Sequence, residues 1–279
     1  MLKPIQLIPS QILPQLKQSC NPIRSQNFGR HIFQVEMDDQ RYWLKVQKKG
    51  YSDEHEQSFQ NEILNYQIIF KQQPEVLAPF NIVHAQLNCG LDSSYLEQGL
   101  FLAESESLFS IDPYAIDIAE VKKRLLESLS VLEKLHGIGL IHGDLKGEHF
   151  RVFENRCVLI DFEQCHQPAQ ANGIKNTATP RYMAPELFHA HAKSYASDVY
   201  ALGIIWLQWL SQNTLQATQN SLQAKSYYDW AILHCQNLKV ELPAAFIRFK
   251  AVLESMLAKE KSQRCINFYH LKQLLSENV

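Results

Sequence analysis

The sequence predicts an α+β fold in two lobes, a small one with an antiparallel sheet and one helix and a larger, mainly helical one. Three observations predict it. Strand-favouring runs separated by turn residues fill most of the first 103 residues, a single helical pattern interrupts them, and beyond residue 112 the apolar spacing becomes helical. The 279-residue chain then divides into an extension at 1–21, a small lobe at 22–103, a hinge at 104–107 and a large lobe at 108–279. A chain of this length buries a sizeable core.

The elements follow in order. Residues 22–49 favour strands: Asn27-Phe28-Gly29 reads as a turn, and the β-favourable runs 31–36 and 41–47 flank the turn Asp38-Asp39-Gln40. Over 58–70, Ile63, Leu64 and Ile68, with Phe59 before them, fall at helical spacing. Two further strands, 79–86 and 94–103, meet around Asn88-Cys89-Gly90, for a total of five strands and one helix. Past the hinge, Ile118, Val121, Leu125, Leu129 and Leu132 step by three and four along one helix, which Gly137 ends. A hairpin at 149–160 precedes helices around 197–211, 226–236, 243–258 and 266–276, and no internal repeat appears.

Composition narrows the function. With 46% hydrophobic and 20% charged residues and a net charge of −2, nothing draws the chain toward nucleic acid or an anionic membrane. Six scattered cysteines form no CxxC pair and no zinc spacing, so they read as reduced thiols of a cytoplasmic protein. Residues 1–26 lack a signal-peptide pattern, being interrupted by Pro4, Pro9 and Pro14. The most apolar stretch, 199–210, falls short of the roughly 20 residues a membrane helix needs, so no transmembrane segment is expected.

Chemistry concentrates in Ile141-His142-Gly143-Asp144-Leu145-Lys146-Gly147-Glu148-His149 and in Leu159-Ile160-Asp161-Phe162-Glu163. Phosphoryl transfer needs an acceptor hydroxyl aimed in line, a group to take its proton, and cations around the phosphates. Asp144, on a loop, suits the first two tasks. Lys146 supplies positive charge nearby, and Asp161, ending an apolar strand, offers hard oxygens to Mg²⁺.

These residues make the chain resemble the protein-kinase superfamily: HGDLK stands for its HRDLK catalytic loop, and Asp161-Phe162-Glu163 for its DFG. Downstream, the run 179–186 resembles the segment that seats a peptide substrate. Asp198 matches an aspartate that accepts hydrogen bonds from the catalytic-loop backbone, and Arg264 the partner of Glu186. The resemblance covers about residues 22–276 and implies transfer from ATP, with Mg²⁺ or Mn²⁺, to a serine or threonine of a protein substrate. It implies that Lys45 contacts the phosphates with Glu62 as its ion-pair partner, Glu54 and Glu56, on the preceding loop, being the alternatives. It also implies that Gly29 belongs to the phosphate loop and that Glu104 and Glu106, at the hinge, border the nucleotide.

The chain departs from the pattern at several points. Of the glycine loop only Gly29 remains, Arg24 and Gln26 filling the other positions. Trp43 lies on the face of Lys45, where the family has alanine. His149 replaces the metal-binding asparagine, a softer ligand that suits Mn²⁺. Glu163 replaces the DFG glycine, and Gly143 the arginine before the catalytic aspartate. Without that arginine, activity is expected not to require phosphorylation of the activation loop at Thr177. Two alternatives stand beside the protein-kinase reading. Trp43 and His149 also resemble bacterial kinases of lipopolysaccharide-core sugars, and the eroded glycine loop resembles that of a nucleotide-binding module without catalysis.

Overall fold

The computed structural model describes residues 9–16, 19–20, 22–170, 178–211 and 226–277. Thr177 lies outside them. The chain forms two compact units, the first Met1–Glu106 with Ile160–Glu163 and the second Ser107–Leu159 with Gln164–Val279.

The first unit holds one antiparallel sheet in the order β1-β2-β4-β3, from β1 (Arg30–Met37), β2 (Gln40–Gln47), β3 (Phe80–His84) and β4 (Gln98–Ala103). The β1–β2 hairpin is tight because Asp38 and Asp39 both adopt left-handed φ, 50° and 59°, which a short polar side chain tolerates. Alternation then sends Phe33, Val35, Met37, Tyr42, Leu44 and Val46 into one core with Phe101.

Helix α1 (Pro9–Ile12) belongs to this unit, since Ile12 is fully buried in the same core. The Gln15 amide bonds both main-chain groups of Glu36, and Cys20 N–H donates to Ile32 O, so the incoming chain covers the outer edge of β1.

Four strands, not five, make the sheet. Residues 22–29 were expected to be strand and turn, but Ile23–Asn27 form a short helix, α2. Pro22 O collects the amides of Ser25 and Gln26, which closes the turn. A second short helix, α4 (Ala85–Cys89), ends at Gly90 with φ +72° and replaces the expected end of β3, while β4 begins at Gln98 rather than 94.

Between β2 and β3 runs α3 (Asp53–Gln72), capped by Ser52 and carrying Asp53, Glu54 and Glu56 in its first turn, where the helix dipole favours them. Glu54 and Glu56 are therefore helical, correcting their expected place on a loop. Phe59, Glu62, Ile63, Tyr66 and Ile69 make the buried stripe.

In the second unit, α5 (Ile118–Gly137) starts at the Asp117 cap and buries Val121, Leu125, Leu129, Leu132 and Leu135. Gly137 is its last residue, as expected, and the left-handed position follows at Gly139, with φ +79°. Strands β6 (Phe150–Phe153) and β7 (Arg156–Leu159) form the expected hairpin in a small sheet ordered β5-β6-β7, with β5 at Glu106–Ser107.

After α6 (Pro185–Phe188), helix α7 (Tyr195–Leu210) is buried all round and forms the centre of the unit. Around it lie α8 (Tyr227–Ile232), continuing into a π turn at Leu233–Asn237, α9 (Lys250–Met256), preceded by a 3₁₀ stretch at Ala244–Phe249, and α10 (Phe268–Glu277). No helix of the described residues is long and apolar enough to cross a membrane.

Candidate active site

In the first unit a four-sided charge cluster surrounds Lys45. Strand β2 sets it on the same sheet face as its cross-strand partners Ile32 and Leu100. Its Nζ, with the residue only 8% exposed, lies 2.8 Å from Glu62 Oε2, 2.9 Å from Asp161 Oδ1 and 2.6 Å from Glu163 Oε1. Burial works against the ammonium, but these carboxylates outweigh it and hold Lys45 above the usual lysine range.

Glu62 also moves up, which for a carboxyl favours the neutral form. Its burial pushes the carboxyl up, with Lys45 working against that and Glu163 and Asp161 reinforcing it. Glu163 is half-buried; desolvation pushes its carboxyl up, yet Lys45 and Arg30 hold it below the usual carboxylate range.

The DFG-like turn is pinned from α3. Asp161 takes a left-handed φ of +66°, Phe162 is fully buried with its ring edge-on to Tyr66 at 5.0 Å, and Asn65 Nδ2 donates to Phe162 O at 2.9 Å. Asn61 donates to Glu163 O and Ser58 to its carboxylate. These contacts bring 160–163 into the first unit, although the sequence reading put it in the large lobe. Arg30 closes the cluster with an ion pair to Glu163.

Sequence reasoning missed Arg30. The signal was present, because alternation along β1 puts Arg30 on the face of Ile32, the partner of Lys45.

Glu62, Asp161 and Glu163 bring three carboxylate oxygens within 4.8 Å of one another. Hard oxygen donors in that number fit Mg²⁺ or Mn²⁺. Asp161, with 31% of its side chain exposed against 1% for Glu62, is the most open of the three.

The remaining expected residues of this unit stand as follows. Gly29 has φ +84°, and a Cβ there would fall 2.7 Å from Gln47 Nε2 and 3.1 Å from Lys48 O, so its lack of a side chain serves packing on β2. Trp43 is half-buried. Glu104 pairs with Arg41, 2.7 Å away, and Glu106 is exposed.

In the second unit the catalytic-type loop hangs from α7. Asp198 accepts from the amides of His142 at 2.8 Å and Gly143 at 3.0 Å, and bonds His136 Nε2 at 2.9 Å. Burial opposes its charge, but His136 and the loop hold the carboxyl below its usual range. Asp144 follows directly: Oδ1 accepts from Thr179 N at 2.8 Å and Oδ2 lies 3.1 Å from Lys146 Nζ. His149 is buried and stacked on His142, ring centroids 5.5 Å apart. Farther along, Arg264 grips Glu186 with two parallel bonds of 2.7 and 2.9 Å and also bonds Ala196 O.

An antiparallel sheet carrying a lysine–glutamate–aspartate cluster, with a loop aspartate and lysine hung from a buried helix, defines a phosphotransferase-type architecture. The chain belongs to the protein kinase domain family, whose model matches residues 28–277. Among curated proteins it is similar to serine/threonine-protein kinase SBK1 of Danio rerio, 26% identical over 176 residues, 58% of this chain and 45% of that one. It is also similar to serine/threonine-protein kinase Sgk1 of Rattus norvegicus, 27% identical over 148 residues, 50% of this chain and 31% of that one. A probable serine/threonine-protein kinase of Dictyostelium discoideum is 34% identical over 90 residues, 32% of this chain and 7% of that one. The chain thus spans less than half the length of each of these relatives.

Proposed function

We propose that the chain transfers the γ-phosphoryl group of ATP to serine or threonine hydroxyls of a protein substrate. The observation that carries this reading is Lys45, bonded at once to Glu62 and to Asp161, residues 17 and 116 positions away. A structural core has no use for that cluster of buried charge, whereas a site that must grip phosphates has.

In this reading Lys45, oriented by Glu62, holds the α- and β-phosphates, and Gly29, Glu104 and Glu106 border the nucleotide. Asp161 holds the metal, with His149 as a second ligand. A bound Mg²⁺ or Mn²⁺ supplies neutralisation of charge on the phosphate oxygens. Asp144 orients the acceptor hydroxyl and takes its proton, and Lys146 sets a positive charge beside the transferred group. The amide of Thr179 fixes one Asp144 oxygen, which links substrate-segment position to the base.

Asp144→Ala tests this. Transfer to a serine/threonine peptide library should fall by about 10²–10⁴-fold, while calorimetric ATP affinity stays near wild type. A variant keeping most of the rate would remove Asp144 from its role.

One observation favours a second reading, that of a nucleotide-binding module. Helix α2 occupies the stretch that matches the family's phosphate loop, where Arg24 and Gln26 stand in place of glycines. Wild-type protein that binds ATP but phosphorylates neither protein nor sugar acceptors would support it.

A further inference from the structure

Gly143, just before Asp144, has φ +80°, and a Cβ there would fall 2.8 Å from Gln164 O and 3.2 Å from Lys193 Cδ. The space a side chain at 143 would enter is therefore already occupied by the stem of Lys193. That lysine sits just before the capping Ser194 of α7 and is 6% exposed.

Its Nζ donates to the neutral amide oxygen of Gln164 at 3.3 Å, and no carboxylate among the described residues lies within ion-pair distance of it. Burial lowers its proton affinity, and the fields of Asp144 and Asp198 oppose that. His166, the other titratable group beside Gly143, is held low by burial and by Lys193 itself.

A buried ammonium bonded only to an amide destabilises a fold, and a methionine would fill the same space at no such cost. Its retention calls for work done by the charge. Two carboxylates feel that charge, and one of them is the proposed base. The Gln164 tie also steadies the start of the activation segment, where Ile141 and His166 exchange two main-chain bonds of 2.9 and 3.0 Å.

We propose that Lys193 is a built-in counter-charge for the catalytic loop: a positioning residue that sets Asp144 and Gln164 from beneath Gly143, replacing the cation absent at position 143. The inference rests on the kinase reading for its catalytic half and on geometry alone for its structural half. A fixed lysine is present at all times, unlike a phosphate added to a loop, so the loop should be set without that modification.

The test compares wild type, Lys193→Met and Lys193→Arg in the full chain. Lys193→Met should lower kcat by about tenfold or more with KM for ATP nearly unchanged, and Lys193→Arg should restore most of the loss. Hydrogen exchange across 141–146 and 164–166 should quicken about fivefold or more in the methionine variant and remain slow in the arginine one.

Unchanged kcat and exchange in Lys193→Met would overturn the proposal, as would an arginine variant as impaired as the methionine one. Should Lys193→Met fail to fold, Lys193→Gln, which keeps a donor without charge on a shorter stem, takes its place with the same expectations. If the wild-type protein transfers no phosphate at all, the kinase reading falls separately, and the exchange comparison still decides whether Lys193 holds the loop.

Discussion

Lys45 and Asp161 reach each other because the Asp161-Phe162 turn is clamped by α3 side chains, not because either residue has a strong local preference. Phe162 against Tyr66 and Asn65 on Phe162 O fix the turn, and the left-handed Asp161 then aims its carboxylate at Nζ. Glu163, with a side chain where the family has glycine, adds a second clamp through Arg30 and Lys45.

His149 is the residue whose proposed role is most easily separated from packing. It is buried beside His142, and a purely structural imidazole there has no influence on metal choice. If it ligates, His149→Asn should move the ratio of Mn²⁺- to Mg²⁺-supported activity toward Mg²⁺ by about tenfold. An equal ratio in both proteins would leave His149 a packing role.

At the scale of elements, the second unit is organised by what α7 presents at its N-terminal end. Its first turn carries Asp198 to the catalytic-type loop, and the adjoining Ser197 and Ala196 O meet the Glu186–Arg264 pair. Both partners of that pair are almost fully buried, so Arg264→Ala strands Glu186 without a counter-charge and should cost roughly 3–5 kcal/mol. Urea unfolding measures it; a cost under about 1 kcal/mol would mean that the pair behaves as a surface bridge.

α7 also meets the π turn after α8. Tyr200 OH donates to His234 Nδ1 at 2.9 Å, and His234 Nε2–H donates to Arg181 O at 3.1 Å. Burial lowers His234 from 6.5 to about 4, so this imidazole stays neutral in the folded protein. The unfolded chain takes up its proton first as pH falls, so stability is full above about 6.5 and is lost between there and about 4. Wild type should lose roughly 2 kcal/mol between pH 7 and 5 through this group, and His234→Gln should be less sensitive over that window. Equal acid sensitivity in the two proteins would contradict the assignment.

For the whole molecule, what could be read from sequence was what repeats with a period or sits in a motif. The β1–β2 hairpin, α3, α5 and the β6–β7 hairpin follow from alternation, helical spacing and turn residues. Asp144, Asp161, Asp198, Glu186 and Arg264 follow from motifs whose spacing survives intact.

What could not be read were features decided by tertiary context. Residues 23–27 became helical against the strand expected there, and Ile12 joined a core that nothing in its neighbours announces. Arg30 and Lys193 act through residues 133 and 29 positions away, and no local pattern reports such a distance. The π turn at 233–237 and the 3₁₀ stretch at 244–249 likewise fall inside expected helices without a local signal.

Phosphoryl transfer itself is the most direct readout of what this chain does. Purified chain and its Asp144→Ala variant, each incubated with ATP and Mg²⁺ or Mn²⁺ and a mixed protein acceptor, are followed by mass spectrometry of modified residues. Phosphoserine or phosphothreonine should accumulate with the wild-type chain alone. Phosphate on neither residue type, or equal amounts with the Asp144→Ala variant, would contradict the proposed transfer.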